Sequence, residues 1–384
     1  MNEDYRYRRG GIPRWITVLV VVFFIFFVAV GAIIASNYHH LGNLLKVVTL
    51  VRTQYIEPVQ TTDLVDGATR GIVDALEDPY SVYLDPQTFK MLQEQIVGSF
   101  GGLGILVGLN KEELITVVRV YEHTPAAEEG VQAGDIIVGI DEHDVQGLDL
   151  DSAVGLMRGP VGSKIRLGVL REGHAEPVEF KITRQEISVP TVEGNLLPDT
   201  VIGYIAISQF NEKTPQEMRQ VLAKLKEQGM QGTILDLRNN PGGELTAATR
   251  VADNFIPEGP IVFIDYRTGE EEVREADNDY LQLPLSVLIN EGSASASEIL
   301  AGAVKDTGAG VLVGTKTFGK GIVQTVFTLD NGAGLKLTTA RYLTPQKNDI
   351  HKKGIAPDVA VENLPGQPGD EQLNKAIELM EAKL

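Results

Sequence analysis

The sequence predicts a multidomain α/β protein with an N-terminal transmembrane helix, a helical segment, a β-rich domain with two helices and an α/β core. Three observations predict this architecture. Residues 16–35 carry no charge. Residues 97–185 have the pattern of several short strands and two helices, and strand and helix patterns alternate from about residue 200, which indicates a core with much parallel sheet. A length of 384 residues suits two or three domains.

Composition and charge exclude several classes of function. A formal net charge of -18 argues against nucleic acid as a partner, because phosphate binding needs a basic face. The chain has no cysteine, so disulfides, thiolate chemistry and cysteine-type zinc sites are excluded. Its six histidines follow no metal-ligand spacing. We therefore expect no metal and no other cofactor.

The N-terminal stretch has the length of a membrane span. A helix over residues 16–35 would be roughly 30 Å long, the thickness of a bilayer core. Arg6, Arg8, Arg9 and Arg14 precede it, and no comparable basic cluster follows. This asymmetry predicts a single-pass cell-membrane protein with residues 1–15 in the cytoplasm and the rest extracytoplasmic. The alternative is a cleaved signal peptide, although residues 33–35 fit a cleavage site poorly.

Other segments predict the organisation around the domains. Residues 41–95 predict helices, since apolar residues recur at helical spacing, until two prolines in "EDPYSVYLDP" end the pattern. The acidic residues 269–279 predict a solvated loop. Residues 364–384 predict a linker and a short amphipathic helix, which suggests a subunit interface and a homodimer.

Three motifs in the β-rich domain resemble a bacterial PDZ domain. They are "GGLGILV" (101–107), "TPAAEEGVQAGDIIVGID" (124–141) and "LMRGPVGSKIRLGVLR" (156–171). A PDZ domain binds an extended C-terminal peptide as an added strand, and loop amides hold its carboxylate. Taken alone, the glycine loop is equally well explained as a tight turn. The resemblance implies a peptide site formed by Gly101, Gly102, Leu103, Gly104 and Ile105.

The stretch "NEGSASASEILAG" (290–302) places three serines on a turn between a buried strand and a helix. Such a turn brings unpaired N–H groups and the positive end of the helix dipole close to a side chain, as at the nucleophile of many hydrolases. A helix cap is the competing interpretation, because Ser295 and Glu298 have capping-box spacing. This stretch alone favours the cap.

A glycine-flanked lysine supplies a candidate partner. In "GTKTFGKGIVQ" (314–324), Lys320 lies between Gly319 and Gly321. The motif fails as a phosphate loop, because no Ser or Thr follows the lysine and a strand pattern comes next. Burial would lower the pKa of such a lysine, so that it could accept a serine proton.

The region 200–360 resembles the carboxy-terminal processing proteases of the tail-specific type, which are PDZ-containing serine peptidases with a Ser/Lys dyad. The matching motifs are "LDLRNNPGG" (235–243), "INEGSASASEILAGAV" (289–304), "VGTKTFGKGIVQ" (313–324) and "GIAPD" (354–358). The resemblance implies Ser295 as nucleophile, Lys320 as base and Gln324 as the group that orients the lysine. The implied oxyanion donors are the amides of Ala296 and of Gly242 or Gly243.

The same resemblance implies a PDZ domain at 97–185 and a protease core at 186–363 that also uses part of 41–95 and has crotonase-like and ClpP-like features. One departure, in "TPQKNDIHKKG" (344–354), is the absence of a glycine that the family often has shortly after the proline. The predicted function is a membrane-anchored extracytoplasmic endopeptidase for proteins and peptides with apolar C-termini. Arg158 is a candidate gating residue, Arg238 is expected to support the oxyanion turn, and a regulatory protein is a further partner hypothesis.

Two other functions stay open at this point. One is a non-catalytic PDZ scaffold that binds the C-termini of envelope proteins. The other is an enzyme of the crotonase type, which shares broad α/β features with the core, although nothing in the sequence suggests coenzyme A binding.

Overall fold

The computed structural model describes residues 14–145, 147–174, 176–363 and 369–384. It contains two compact units, which divide between Glu77 and Asp78. Most of the predicted cytoplasmic tail (1–13) and of the predicted linker (364–368) lies outside the described residues, as do the side chains of residues 17, 18 and 29–35. No helix in the described part of the chain combines the length and apolar character needed to cross a membrane.

The first unit contains two helices, α1 (Arg14–Gln54) and α2 (Thr61–Asp74). The charge-free stretch at 16–35 and the helical pattern that begins at residue 41 are not separate helices, because α1 runs through both without a break over 41 residues.

The second unit begins with a strand and a helix that the sequence did not distinguish. Strand β1 (Val82–Leu84) lies inside the segment predicted as helical, and α3 (Pro86–Val97) follows it. Asp85 caps α3 by accepting hydrogen bonds from the amides of Gln87 and Thr88, with Pro86 at the first helical position. The two prolines of "EDPYSVYLDP" therefore frame a strand and start a helix.

The β-rich domain is built on one antiparallel sheet. Its strand order is β3-β4-β5-β7-β8, with β6 on β5, so β3 lies at an edge, and β2 pairs with β9. The elements are β2 (Phe100–Gly102), β3 (Ile105–Leu109), β4 (Ile115–Val120), α4 (Pro125–Glu128), β5 (Ile136–Ile140), β6 (His143–Asp144), α5 (Leu150–Met157), β7 (Lys164–Leu170), β8 (Val178–Thr183) and β9 (Gln185–Ile187).

The core contains most of the remaining chain. Its elements are β10 (Val192–Leu196), β11 (Ile202–Ile207), α6 (Thr214–Glu227), β12 (Gly232–Asp236), α7 (Leu245–Ala252), β13 (Gly259–Tyr266), β14 (Glu271–Ala276), β15 (Leu285–Ile289), α8 (Ala296–Thr307), β16 (Val311–Gly314), β17 (Ile322–Thr328), β18 (Gly334–Leu343), β19 (Val359–Ala360) and α9 (Glu371–Glu381).

The main sheet of the core has the order β10-β11-β12-β15-β16-β19 and is parallel except for β10. Both faces are covered, which explains the continuous apolar runs of its central strands. Leu235 and Val287 lie in the large core cluster with residues of α6, α7 and α8, whereas Ile234 and Leu288 lie in a second cluster with α9.

A second sheet of five strands has the order β1-β18-β13-β14, with β17 also paired to β18. The prediction of a solvated loop over residues 269–279 is wrong, because β14 pairs antiparallel with β13. The strand lies at the sheet edge, where charged side chains are tolerated and prevent further pairing, so its acidic composition obscured it.

The C-terminal helix α9 is amphipathic as predicted, but its apolar face is already used within the chain. Ala376 and Met380 are fully buried and pack with Ile202 and Leu288 of the main sheet. This face is therefore covered by the protein's own core, and the homodimer stays a prediction.

Candidate active site

Ser295 lies immediately before α8, in the turn that follows β15. Its φ of 55° and ψ of -115° are unusual for a residue that has a Cβ atom. Gly242 lies opposite with φ of +98°, and a Cβ atom at Gly242 would lie 2.8 Å from Ser295 Cβ. The strained serine thus requires a glycine beside it.

The other two serines of the turn are committed to the backbone. The Ser293 hydroxyl donates to the Leu237 carbonyl oxygen at 2.7 Å, and the Ser297 hydroxyl donates to the Asn240 carbonyl oxygen at 3.0 Å. Both serines are fully buried. Only Ser295, of the three, lines the large cleft described below.

Glu298 joins the serine turn to the lysine loop. The glutamate half of the predicted capping box is present, because the Ser295 amide donates to Glu298 Oε2 at 2.9 Å, whereas the Glu298 amide donates to the Ser295 carbonyl oxygen and not to its hydroxyl. Glu298 Oε2 also accepts from the Lys320 amide at 2.8 Å. The other carboxylate oxygen accepts from the Gly319 amide at 2.7 Å and the Thr317 hydroxyl at 2.6 Å. Because Glu298 is fully buried, this carboxylate organises both loops and not only the helix start.

Tyr342 on β18 makes a second connection between the same loops. Its hydroxyl lies 2.6 Å from the Lys320 carbonyl oxygen and 3.0 Å from the Ser295 carbonyl oxygen. Burial raises the pKa of Tyr342 well above its ordinary value, so the hydroxyl stays a donor. Tyr342 carries no signal in the sequence, since it follows an ordinary strand pattern, and Glu298 is recognisable there only as a cap.

Lys320 is half-buried in surroundings that favour its neutral form. Loss of hydration lowers its pKa most, the nearby ammonium of Lys336 lowers it further, and the carboxylates of Asp78 and Glu298 oppose the shift. Its Nζ atom also lies 5.0 Å from the centroid of the Tyr80 ring.

Ser295, Lys320 and Gln324 line one cleft of about 370 Å³. Within the described part of the chain, no hydrogen bond joins the Ser295 hydroxyl to the Lys320 ammonium. The Gln324 amide donates to the Ile322 carbonyl oxygen at 3.4 Å and does not reach Lys320. The structure therefore brings the three side chains together without the lysine-orienting contact expected of Gln324.

Two free amides belong to residues that line this cleft. The Gly242 amide donates to Asn240 Oδ1 at 2.9 Å and is thus occupied. The amides of Gly243 and Ala296, by contrast, have no acceptor among the residues that the structure describes. Both residues line the cleft with Ser295. Of the three expected oxyanion donors, this pair is available.

Arg238 connects the end of β12 to the start of α9. Its guanidinium contacts Asp236 at 2.6 Å and Asp370 at 2.7 Å. Burial would raise the pKa of Asp370, but hydrogen bonds from Arg238, Asn363 and the Leu373 amide outweigh it and lower that pKa to about 2. Arg238 thereby supports the strand that leads into the 239–243 turn.

The expected peptide site divides into two parts. Gly101 and Gly102 belong to β2 and pair with β9. The Leu103 side chain is buried in the domain core, but the amides of Leu103 and Gly104 have no acceptor among the described residues. Ile105 begins β3, the edge strand. Of these five residues, Leu103 and Gly104 therefore have free amides, and Ile105 begins the open edge.

Arg158 follows α5 and contacts helix α3, and it is not among the residues that line the cleft with Ser295 and Lys320. Its guanidinium carbon lies 4.2 Å from the Phe100 ring centroid, and Nη1 lies 3.9 Å from Glu94 Oε2. Its buried Nε has no hydrogen-bond partner in the described structure. Arg158 lines a groove of about 470 Å³ that shares Leu92, Gln95 and Lys336 with the cleft that contains Ser295.

Comparisons with known proteins match three parts of this chain. The model of peptidase family S41 matches residues 201–361, an N-terminal domain model of the activating protease CtpB matches 32–88, and a PDZ domain model matches 116–171. A carboxyl-terminal-processing protease from Synechocystis sp. is 40% identical over 343 residues, which cover 86% of this chain and 80% of the relative.

Two further comparisons agree. A carboxy-terminal-processing protease from Bartonella bacilliformis is 40% identical over 334 residues, which cover 85% of this chain and 76% of that protein. The solved structure of a photosystem II D1 C-terminal processing protease is 32% identical with a TM-score of 0.50, and the match covers 83% of this chain and 86% of that chain.

Proposed function

Since this chain belongs to the carboxyl-terminal-processing proteases of peptidase family S41, which are serine-type proteases, we propose that it is an endopeptidase that cuts proteins with Ser295 and Lys320. The contrast among the three serines carries the proposal. The hydroxyls of Ser293 and Ser297 donate hydrogen bonds to backbone carbonyl oxygens. Ser295 instead lines the cleft that holds a lysine of lowered pKa and two free amides.

The proposed acylation uses these groups in sequence. The Ser295 oxygen attacks the peptide carbonyl carbon while neutral Lys320 takes its proton. The amides of Gly243 and Ala296 donate hydrogen bonds to the oxyanion that forms. The lysine then gives the proton to the leaving amine, the C–N bond breaks, and an acyl-serine remains. Water, activated by the lysine, releases the acyl group in the reverse order of proton transfers.

This mechanism requires a side-chain movement. Lys320 must come within about 3 Å of the serine hydroxyl, and four flexible methylene groups allow it to do so. We assign Gln324 the role of holding the lysine in that position. The present contact of Gln324 with the Ile322 carbonyl oxygen, at 3.4 Å, is long and easily exchanged.

Substrate capture is assigned to the PDZ domain. The open edge of β3 and the free amides of Leu103 and Gly104 support binding of an extended, apolar C-terminus. Arg158 lies between this domain and α3, with a polar atom left unpartnered. We therefore assign Arg158 a gating role, in which peptide binding or a regulatory protein opens or closes the catalytic cleft.

The location proposal rests on the sequence. The charge-free stretch at 16–35 and the arginines before it support an uncleaved anchor with the protease on the outer side. Carbonate extraction of membranes tests it, because an anchored full chain stays in the pellet whereas residues 41–384 are released. Light scattering of the detergent-solubilised chain tests the homodimer.

One observation favours the scaffold alternative, in which the PDZ domain binds envelope proteins without cleavage: no hydrogen bond joins Ser295 to Lys320. Digestion of β-casein by the full chain in detergent decides between the two functions. We expect cleavage by the wild type and by the exposed-serine control Ser188→Ala, but none by Ser295→Ala or Lys320→Ala. Cleavage by all four would contradict the site assignment. Cleavage by none, with peptide binding intact, would favour the scaffold.

A further inference from the structure

A second lysine, Lys336, lines both the cleft that contains Ser295 and the neighbouring groove that contains Arg158. We propose that Lys336 makes the protease prefer an acidic side chain within the first few residues C-terminal to the cleaved bond. The inference rests on the proposed endopeptidase function and on capture of the substrate C-terminus by the PDZ domain.

The fold places Lys336 at the junction of the two cavities. It lies on β18, opposite Val82 of β1 on one side and Val326 of β17 on the other. It lines the cleft that contains Ser295 and also the groove that contains Arg158. A chain that passes from one cavity to the other therefore passes Lys336, together with Leu92 and Gln95.

The direction of the substrate determines which residues pass it. If the C-terminus is held at β3, the residues that follow the cleaved bond run from Ser295 through the groove beside α3 towards the PDZ domain. An extended chain advances about 3.3 Å per residue, so the positions near Lys336 are the first few after the bond.

The charges around the two cavities leave Lys336 without an acidic partner. It is half-buried, and it forms no ion pair with any carboxylate of the described residues. Of the two glutamates that line the cavities, Glu94 faces Arg158 and Lys90, and Glu244 caps α7. The ammonium of Lys320 shares the cleft.

The carboxylates of Asp78 and Glu298, which lie near Lys320, already accept hydrogen bonds from other groups. Asp78 accepts from the Ser81 hydroxyl at 2.6 Å, and Glu298 accepts four hydrogen bonds from the two catalytic loops. Partial burial of a cation without a counter-charge is unfavourable. A substrate carboxylate would relieve this cost, and a substrate ammonium would add to it.

Peptides that differ at one position test the proposal. A peptide of alanine, valine and serine with a free apolar C-terminus receives Glu, Gln or Lys at each of the first four positions after the bond, which mass spectrometry locates. For the full chain in detergent we expect kcat/KM for the Glu peptide to exceed that for the Lys peptide by about tenfold at one position. Lys336→Glu should reverse the ratio, and Lys336→Met should bring it near one.

The ratio of kcat/KM for the Glu peptide to that for the Lys peptide separates charge selection from effects on the base. A change in the pKa of Lys320 alters the rates for all peptides by the same factor and leaves this ratio unchanged. The control Lys226→Glu makes the same charge change at an exposed position on α6 and should keep the wild-type ratio. A wild-type ratio near one at all four positions, or an unchanged ratio in both Lys336 variants, overturns the inference while cleavage itself upholds the proposed function.

Binding gives an independent readout. The same peptides, carrying a fluorophore, are titrated with Ser295→Ala and with Ser295→Ala combined with Lys336→Met. If Ser295→Ala binds the Glu peptide more tightly than the Lys peptide, and the added Lys336→Met removes this preference, the charge selection is supported. This holds even if the wild type cuts no peptide, an outcome that would contradict the proposed function but not the charge selection. Equal affinities for the Glu and Lys peptides contradict it.

Discussion

Oε2 of Glu298 lies 2.8 Å from the amide nitrogen of Lys320, and this contact ties the base of the proposed dyad to the helix that begins at the proposed nucleophile. A fully buried carboxylate is tolerated only where donors surround it. Glu298 has four, two on each oxygen. Together with the Tyr342 hydroxyl, this side chain therefore fixes the relative position of the two loops.

We expect Glu298→Gln to reduce kcat about 100-fold and to lower the free energy of unfolding by about 2–4 kcal/mol. The glutamine NH2 group would face N–H donors and break part of the network. Peptidase kinetics and urea unfolding measure the two effects. Glu291→Gln is the control, since that exposed carboxylate accepts from Thr315 at 3.0 Å. A variant with wild-type kcat would show that Glu298 is dispensable for positioning.

Gly242→Ala should abolish most activity. Its φ of +98° is unfavourable for alanine, and the new methyl group would meet the Ser295 Cβ and the Ala296 amide, each at 2.8 Å. We expect a loss in kcat/KM of about 100-fold or more. Gly229→Ala is the matched control, because Gly229 has φ of +88° but open space around it. That control should lose about 1 kcal/mol of stability and keep its kcat/KM. Equal losses of kcat/KM in Gly242→Ala and Gly229→Ala would show that backbone strain, and not the contact with Ser295, causes the effect.

The pH profile should report Lys320. The neutral lysine is the proposed base, so kcat/KM rises as the pH passes its pKa. Lys336 is one cause of the lowered pKa of Lys320. Lys336→Met therefore raises that pKa and should move the acid limb of the profile to higher pH. Lys316→Met, at an exposed lysine four residues before Lys320, should leave the limb in place. If the acid limb of Lys336→Met moved to lower pH, this result would contradict the assignment of Lys320 as the base.

Asp370→Asn should destabilise the chain in a pH-dependent way. The pKa of Asp370 is lowered from 3.8 to about 2. Its contribution is thus present above about 4 and lost as the pH falls towards 2. Because Asp370 is 35% exposed, we expect only about 1 kcal/mol at pH 7.

Urea unfolding at several pH values measures this difference, which should shrink below pH 4. Glu378→Gln, at an exposed ion pair on the same helix, should cost under about 0.5 kcal/mol. A penalty that is constant down to pH 2 would show that Asp370 acts through packing and not through its charge.

Local patterns were sufficient for many of the elements. The alternation of strands and helices in the core, and the buried strand β15 and the helix α8 on either side of the serine turn, were predicted from composition and spacing. The failures occurred where neighbours in space override neighbours in sequence. The acidic β14 is a strand because β13 offers it an edge, and α9 buries its apolar face because the main sheet lies beneath it.

The candidate site follows the same division. Ser295, Lys320 and the glycines beside them are recognisable in the linear sequence because turns, helix starts and close backbone approaches impose residue types within a few positions. The bridging carboxylate of Glu298, the hydroxyl of Tyr342 and the ammonium of Lys336 are not, since their roles depend on partners 16 to 47 residues away. Such contacts exist only once two sheets and a helix have packed, and packing also determines how far burial and neighbouring charge shift the pKa of the lysine.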